Sequence, residues 1–134
     1  MSTVPLIHYE DASPEVRAVY DDIMRARNVP DVNNFWKSLA HNPDLLKRIW
    51  EELREIMAPG ALDAVTKELI YIAVSVAHGC EYCIHSHTAN ARAKGMTDAQ
   101  YRELLAVILM ASQTNALATA FQTPVDAKFQ AAEE

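Results

Sequence analysis

Two cysteines stand three residues apart in the segment His78-Gly79-Cys80-Glu81-Tyr82-Cys83-Ile84-His85-Ser86-His87. A Cys-x-x-Cys pair at the start of a helix brings two sulfurs to one face, one turn apart, close enough to bridge as a disulfide. The free N–H groups and dipole of that helix end favour thiolate over thiol, and the thiolate is the nucleophile. At roughly 100° per residue, Cys80, Cys83 and His87 share a face and His85 points nearly opposite. His87, four residues after Cys83, is therefore the candidate base. Glu68 lies on the preceding segment, which is otherwise apolar, and a buried carboxylate needs a partner. If the two helices pack antiparallel about Gly79, Glu68 reaches the neighbourhood of His87, and a carboxylate–imidazole–thiol relay results.

Other chemistries fit these residues less well. Zinc would have Cys80, Cys83, His85 and His87 to choose from, but one helix cannot wrap four ligands tetrahedrally around an ion. No metal site and no bound cofactor is expected; the redox-active group would be the Cys80–Cys83 disulfide itself. His78 reads as a cation at a helix C-terminus, and His8 and His41 as structural or solvated. Tyr82 shapes access to the sulfurs or packs beside them. Trp36 and Trp50 read as core or subunit-interface anchors.

The elements that must position the site read as helices throughout. Ser13-Pro14 is a cap and first-turn pair, followed by Val16, Val19, Tyr20 and Ile23 at helical spacing. A short helix over 33–40 carries Phe35, Trp36 and Leu39. Asn42-Pro43 opens another, with Leu45, Leu46, Ile49, Trp50, Leu53 and Ile56, ended by Pro59-Gly60. Asp63 caps a helix whose body over 65–77 is apolar nearly all round, the composition of a central core helix. Gly79 breaks it; the next helix runs from Cys80 to Lys94 and stops at Gly95. Thr97 and Gln100 form a capping box for a helix that buries Leu104, Leu105, Val107 and Ile108. A last stretch through Asn115, Leu117 and Phe121 is either continuous with it or kinked near Ser112. The tail after Pro124 is expected frayed or partly helical. No strand pattern of period two persists, so the expected architecture is an all-α bundle of about six or seven helices.

Composition agrees and excludes other classes. The 134 residues are 50% apolar, with 3 glycines and 6 prolines, and they suit a single domain over 1–134. The formal charge of −6 lacks the basic stripe of a nucleic-acid binder. Nothing reads as a secretory leader, and polar residues break the apolar runs, so no membrane partner and a cytoplasmic location are expected. A cytoplasmic thiol pair is more often catalytic, redox-sensing or metal-binding than structural.

Glu68, an eleven-residue gap, Cys80-x-x-Cys83, three residues and His87 together resemble the signature of the alkylhydroperoxidase AhpD-like branch of the carboxymuconolactone decarboxylase superfamily. Softer support comes from Leu39-Ala40-His41-Asn42-Pro43 with Asp44-Leu45-Leu46, and from Lys67-Glu68-Leu69 through Ala73-Val74-Ser75; the resemblance covers roughly residues 14–121. It implies an all-helical fold assembling as a homo-oligomer, trimer or hexamer. It implies thiol-dependent reduction of a hydroperoxide through a Cys80–Cys83 disulfide, with Glu68 and His87 as proton relay. Electrons would come from a dithiol reductant, either a lipoylated or a thioredoxin-like protein, and a peroxiredoxin is a further partner. The best-studied relatives carry a histidine where this chain has Tyr82. Two alternatives stay open: a lactone decarboxylase of the same fold, against which the Cys-x-x-Cys pair argues, and a non-enzymatic thiol redox sensor. The two cysteines also disagree about order, since the dipole favours Cys80 as the attacking sulfur and proximity to His87 favours Cys83.

Overall fold

The computed structural model describes residues 1–130. They form six α-helices: α1 (Pro14–Arg27), α2 (Asn34–Leu39), α3 (Pro43–Met57), α4 (Ala64–His78), α5 (Glu81–Ala93) and α6 (Asp98–Ala120). Single 3-10 turns lie at Tyr9–Asp11 and Ala127–Phe129. No strand occurs among the described residues. The chain divides into two compact units, one ending at Pro59 and the other beginning at Gly60. Of the tail expected to fray after Pro124, residues 131–134 lie outside the described residues.

The first unit is built by its caps and two tryptophans. Ser13 Oγ accepts the Val16 N–H at 3.3 Å and Asn42 Oδ1 accepts that of Leu45 at 3.1 Å, each followed by a proline suited to the first turn. Asn28, in the left-handed region at φ 52°, stops α1. Trp36 and Trp50 are buried and meet edge to face with ring centroids 5.6 Å apart, an arrangement the ring quadrupoles favour. The indole N–H of Trp50 donates to Asp22 Oδ2 at 2.7 Å, so its one polar atom is satisfied. Both tryptophans are thus core anchors. Around them pack Tyr20, Ile23, Leu46 and Val16.

The second unit holds the Cys80–Cys83 pair, and its turns are decided by glycine. Asp63 Oδ1 accepts the Thr66 N–H at 2.8 Å and starts α4. At the other end Gly79 sits at φ 67°, its N–H bonded to the Val76 carbonyl at 3.1 Å, while the Cys80 N–H reaches the Ser75 carbonyl at 3.0 Å. That pair of bonds is a Schellman closure. Gly95 repeats it at φ 106°: its N–H bonds Arg92 O at 3.1 Å and the Met96 N–H bonds Ala91 O at 2.9 Å. Met96 and Ala91 then pack together with Ile72, the apolar contact that usually accompanies this closure. The α4–Gly79–α5 hairpin is the most extensively packed pair of helices in this unit. Thr97 and Gln100 close the expected capping box at 3.1 and 2.9 Å.

Two expectations are corrected. The helix over 65–77 is not enclosed on all sides: Ile70 is 49% and Val74 51% exposed. On α6, Leu104 and Ile108 are half-buried, but Leu105 and Val107, expected inside, are exposed. A helix that is apolar all round needs neighbours all round, and this chain covers one side of each. α6 is continuous through Ser112, and by length and composition alone it is long and apolar enough to cross a membrane, with Gln113 and Asn115 inside it.

Candidate functional site

Cys80 belongs to two helices at once. Its N–H completes the closure of α4, and its side chain is the N-cap of α5, Sγ accepting the Cys83 N–H at 3.3 Å. A sulfur fixed this way faces the positive end of α5, and a hydrogen bond to the charged form favours that form. Cys80 and Cys83 are joined as a disulfide with Cα atoms 5.3 Å apart, within the ordinary span of such bridges. Both are half-buried, whereas Tyr82 between them is exposed.

One turn beyond Cys83, His87 is buried on the same helix, and His85 is exposed, as the helical phase requires. Glu68 comes from α4 with only 2% of its surface exposed. Its Oε2 accepts a hydrogen bond from His87 Nδ1 at 2.7 Å, and its Oε1 accepts one from Lys94 Nζ at 2.7 Å. A carboxylate only accepts, so Nδ1 carries the hydrogen and Nε2 of a neutral ring is left as the acceptor. The Tyr71 ring stacks on the His87 ring with centroids 3.5 Å apart and planes 18° from parallel. Tyr71 is in turn tied to the hairpin, its carbonyl accepting the Ser75 hydroxyl at 2.7 Å while the Ser75 carbonyl holds Cys80.

Burial would push the Glu68 carboxyl up, but the hydrogen bonds from His87 and Lys94, with the positive charge of Lys94, outweigh it and hold the group below its ordinary value of 4.5. Glu68 is thus an anion with one donor on each oxygen.

The structure brings Glu68 and His87 into contact and leaves the other histidines elsewhere. His78 is exposed at the end of α4 and His8 is exposed. His41 donates from Nε2 to the Pro5 carbonyl at 2.6 Å. Among the described residues no group of three His, Cys, Asp or Glu side chains is arranged to hold a metal ion. Two participants were not singled out from sequence. Lys94 follows His87 by seven residues, two turns along the same face, and Tyr71 follows Glu68 by three. Those spacings were the available signal.

Known proteins share this outline. Residues 43–125 match the carboxymuconolactone decarboxylase family. The chain is similar to the crystal structure of an alkylhydroperoxidase AhpD core from Rhodospirillum rubrum, at 55% identity and a TM-score of 0.92, over 96% of this chain and 97% of that one. It is also 42% identical over 50 residues to an uncharacterised protein 4 of the cox locus in Paracoccus denitrificans; that match spans 37% of this chain and 45% of the relative's length.

Replacing Glu68 by Gln removes a buried charge from two donors and should lower stability by roughly 1–3 kcal/mol near neutral pH. The folded-state pKa of Glu68 lies below 4.5, so the stability its charge contributes is present above that value and is lost as pH falls through the lower one. Thermal unfolding of wild type and Glu68→Gln should therefore differ near neutrality and converge below about pH 4.5. A gap that stays constant into strong acid would show that the carboxylate charge is not what stabilises the site.

Proposed function

Since this chain belongs to the carboxymuconolactone decarboxylase family, in its AhpD-like branch, we propose that it is a thiol-dependent hydroperoxide reductase. The observation that carries the reading is the N-capped Cys80–Cys83 pair with the Glu68–His87 hydrogen bond one turn beyond it. In the reduced protein His87 Nε2 takes the Cys83 proton, directly or through a water, and Glu68 steadies the resulting imidazolium. Cys83 then draws the proton from Cys80. The Cys80 thiolate, favoured by its N-cap bond, attacks the terminal oxygen of a hydroperoxide; the O–O bond breaks, and the departing alkoxide takes a proton to leave as the alcohol. Cys83 attacks the Cys80 sulfenic acid, water leaves, and the disulfide forms. The hydroperoxide has gained two electrons and the dithiol has lost two. A dithiol reductant, lipoylated or thioredoxin-like, returns them by exchange through a mixed disulfide, and the same exchange allows a peroxiredoxin to be served. A reducing compartment such as the cytoplasm suits this cycle.

The chain works as a homo-oligomer, trimer or hexamer, in which further copies cover the apolar sides of α4 and α6. What supports this is the exposure of Ile70, Val74, Val107 and Leu109 on two neighbouring helices, more apolar surface than a monomer commonly leaves in water. Gln113 and Asn115 within α6 favour a protein partner over lipid.

Two measurements follow. Wild type should consume an organic hydroperoxide over many turnovers with dihydrolipoamide. Cys83→Ser should fall to the uncatalysed background while accumulating a trappable sulfenic acid on Cys80. Activity that survives the loss of both cysteines would point to lactone chemistry, and reversible oxidation without turnover to a sensor. Light scattering should return a multiple of 15.0 kDa; a monomer would contradict the assembly.

A further inference from the structure

Lys94 is tied to the proposed base through one carboxylate. We infer that it is a positioning residue for His87: by holding the outer oxygen of Glu68 it supplies the positive charge that carboxylate needs and leaves the His87 ring neutral, with its hydrogen on Nδ1. The inference deepens the reductase reading and rests on it for its purpose.

Glu68 is buried and accepts one donor on each oxygen at 2.7 Å. With Lys94 charged and His87 neutral, the cluster sums to zero; a second proton on His87 would leave an uncompensated positive charge beside a buried group. Without Lys94, the balance reverses. Glu68 would then have His87 alone as partner, and neutrality would be reached by protonating the ring, which removes the acceptor that must take the thiol proton.

The surroundings leave few other sources of charge. From α4, Glu68 and the Tyr71 ring face His87. On α5 itself Cys83 lies one turn back, and Lys94 acts through Glu68. α6 packs on α4 and adds Tyr101 and Leu104 to the apolar cluster of Ile72, Ala91 and Met96; its Asp98 is paired with Arg92 at 2.9 Å. The backbone at Lys94 is held by the closure at Gly95, so the stem starts from a fixed point.

A lysine at a helix C-terminus also interacts with the dipole, and that purely structural contribution would change stability without touching His87. Ring-nitrogen NMR separates the two. The reduced wild type, Lys94→Gln, Lys94→Met (which retains most of the stem) and Lys94→Arg are titrated, with the His87 signals assigned by their loss in His87→Asn. In Lys94→Gln and Lys94→Met the pH at which the ring takes its second proton should rise by about one unit, the size expected for losing one nearby like charge. Lys94→Arg should stay close to wild type. A midpoint that does not move, or moves down, in the neutral variants overturns the inference, whatever happens to their melting temperature. No peroxide enters the experiment, so a protein that failed as a reductase would still answer it.

Discussion

A carboxylate buried to 2% exposure is the constraint on which the rest of this site depends. An ionised group in such a place is tolerated only with partners that return what water would have supplied. Glu68 finds two, His87 on α5 and Lys94 at its C-cap. The requirement therefore sets the register of the hairpin: α4 and α5 must lie antiparallel with Glu68 level with His87 and within reach of Lys94. A slip of one residue in either helix would turn a donor away from the carboxylate by about 100°. The interaction that holds the proposed base is thus also one that aligns α4 with the helix carrying the sulfurs.

The same economy governs the turn. Gly79 adopts a left-handed conformation that residues with side chains take only under strain. That lets Cys80 close one helix with its N–H and cap the next with its sulfur. A serine or aspartate would cap as well; a cysteine there places a nucleophile at the positive helix end. On the proposed reading, position and reactivity arise from the same hydrogen bond.

Much of this was legible in the residues. The Cys80-x-x-Cys83 spacing, the two closing glycines and the capping box are local signals, and local signals survive without tertiary knowledge. Helical phase separated His87 from His85, and the odd carboxylate in an apolar helix pointed to Glu68. Lys94 escaped because a lysine beside a C-terminal glycine already has an ordinary explanation in the helix dipole, and its reach to a residue 26 positions away is tertiary. The stacking of Tyr71 is tertiary for the same reason. Apolar composition predicted that Leu105, Val107, Ile70 and Val74 want cover, but composition cannot say which chain provides it. Sequence left open whether the last helix runs on through Ser112 or kinks there, and α6 is continuous; intrinsic propensities of the polar residues there differ by only tenths of a kcal/mol per residue, too little to break a long helix.

The central claim is that Glu68 acts through His87 on the thiols, and the most direct test is a double-mutant cycle on single-turnover oxidation of the reduced protein by hydroperoxide. Glu68→Gln and His87→Asn should each slow the reaction by about 10²-fold or more. If the two form one relay, the double variant should be no slower than His87→Asn alone. Losses that multiply in the double variant would contradict the account, because they would mean that the carboxylate and the imidazole assist the sulfurs independently.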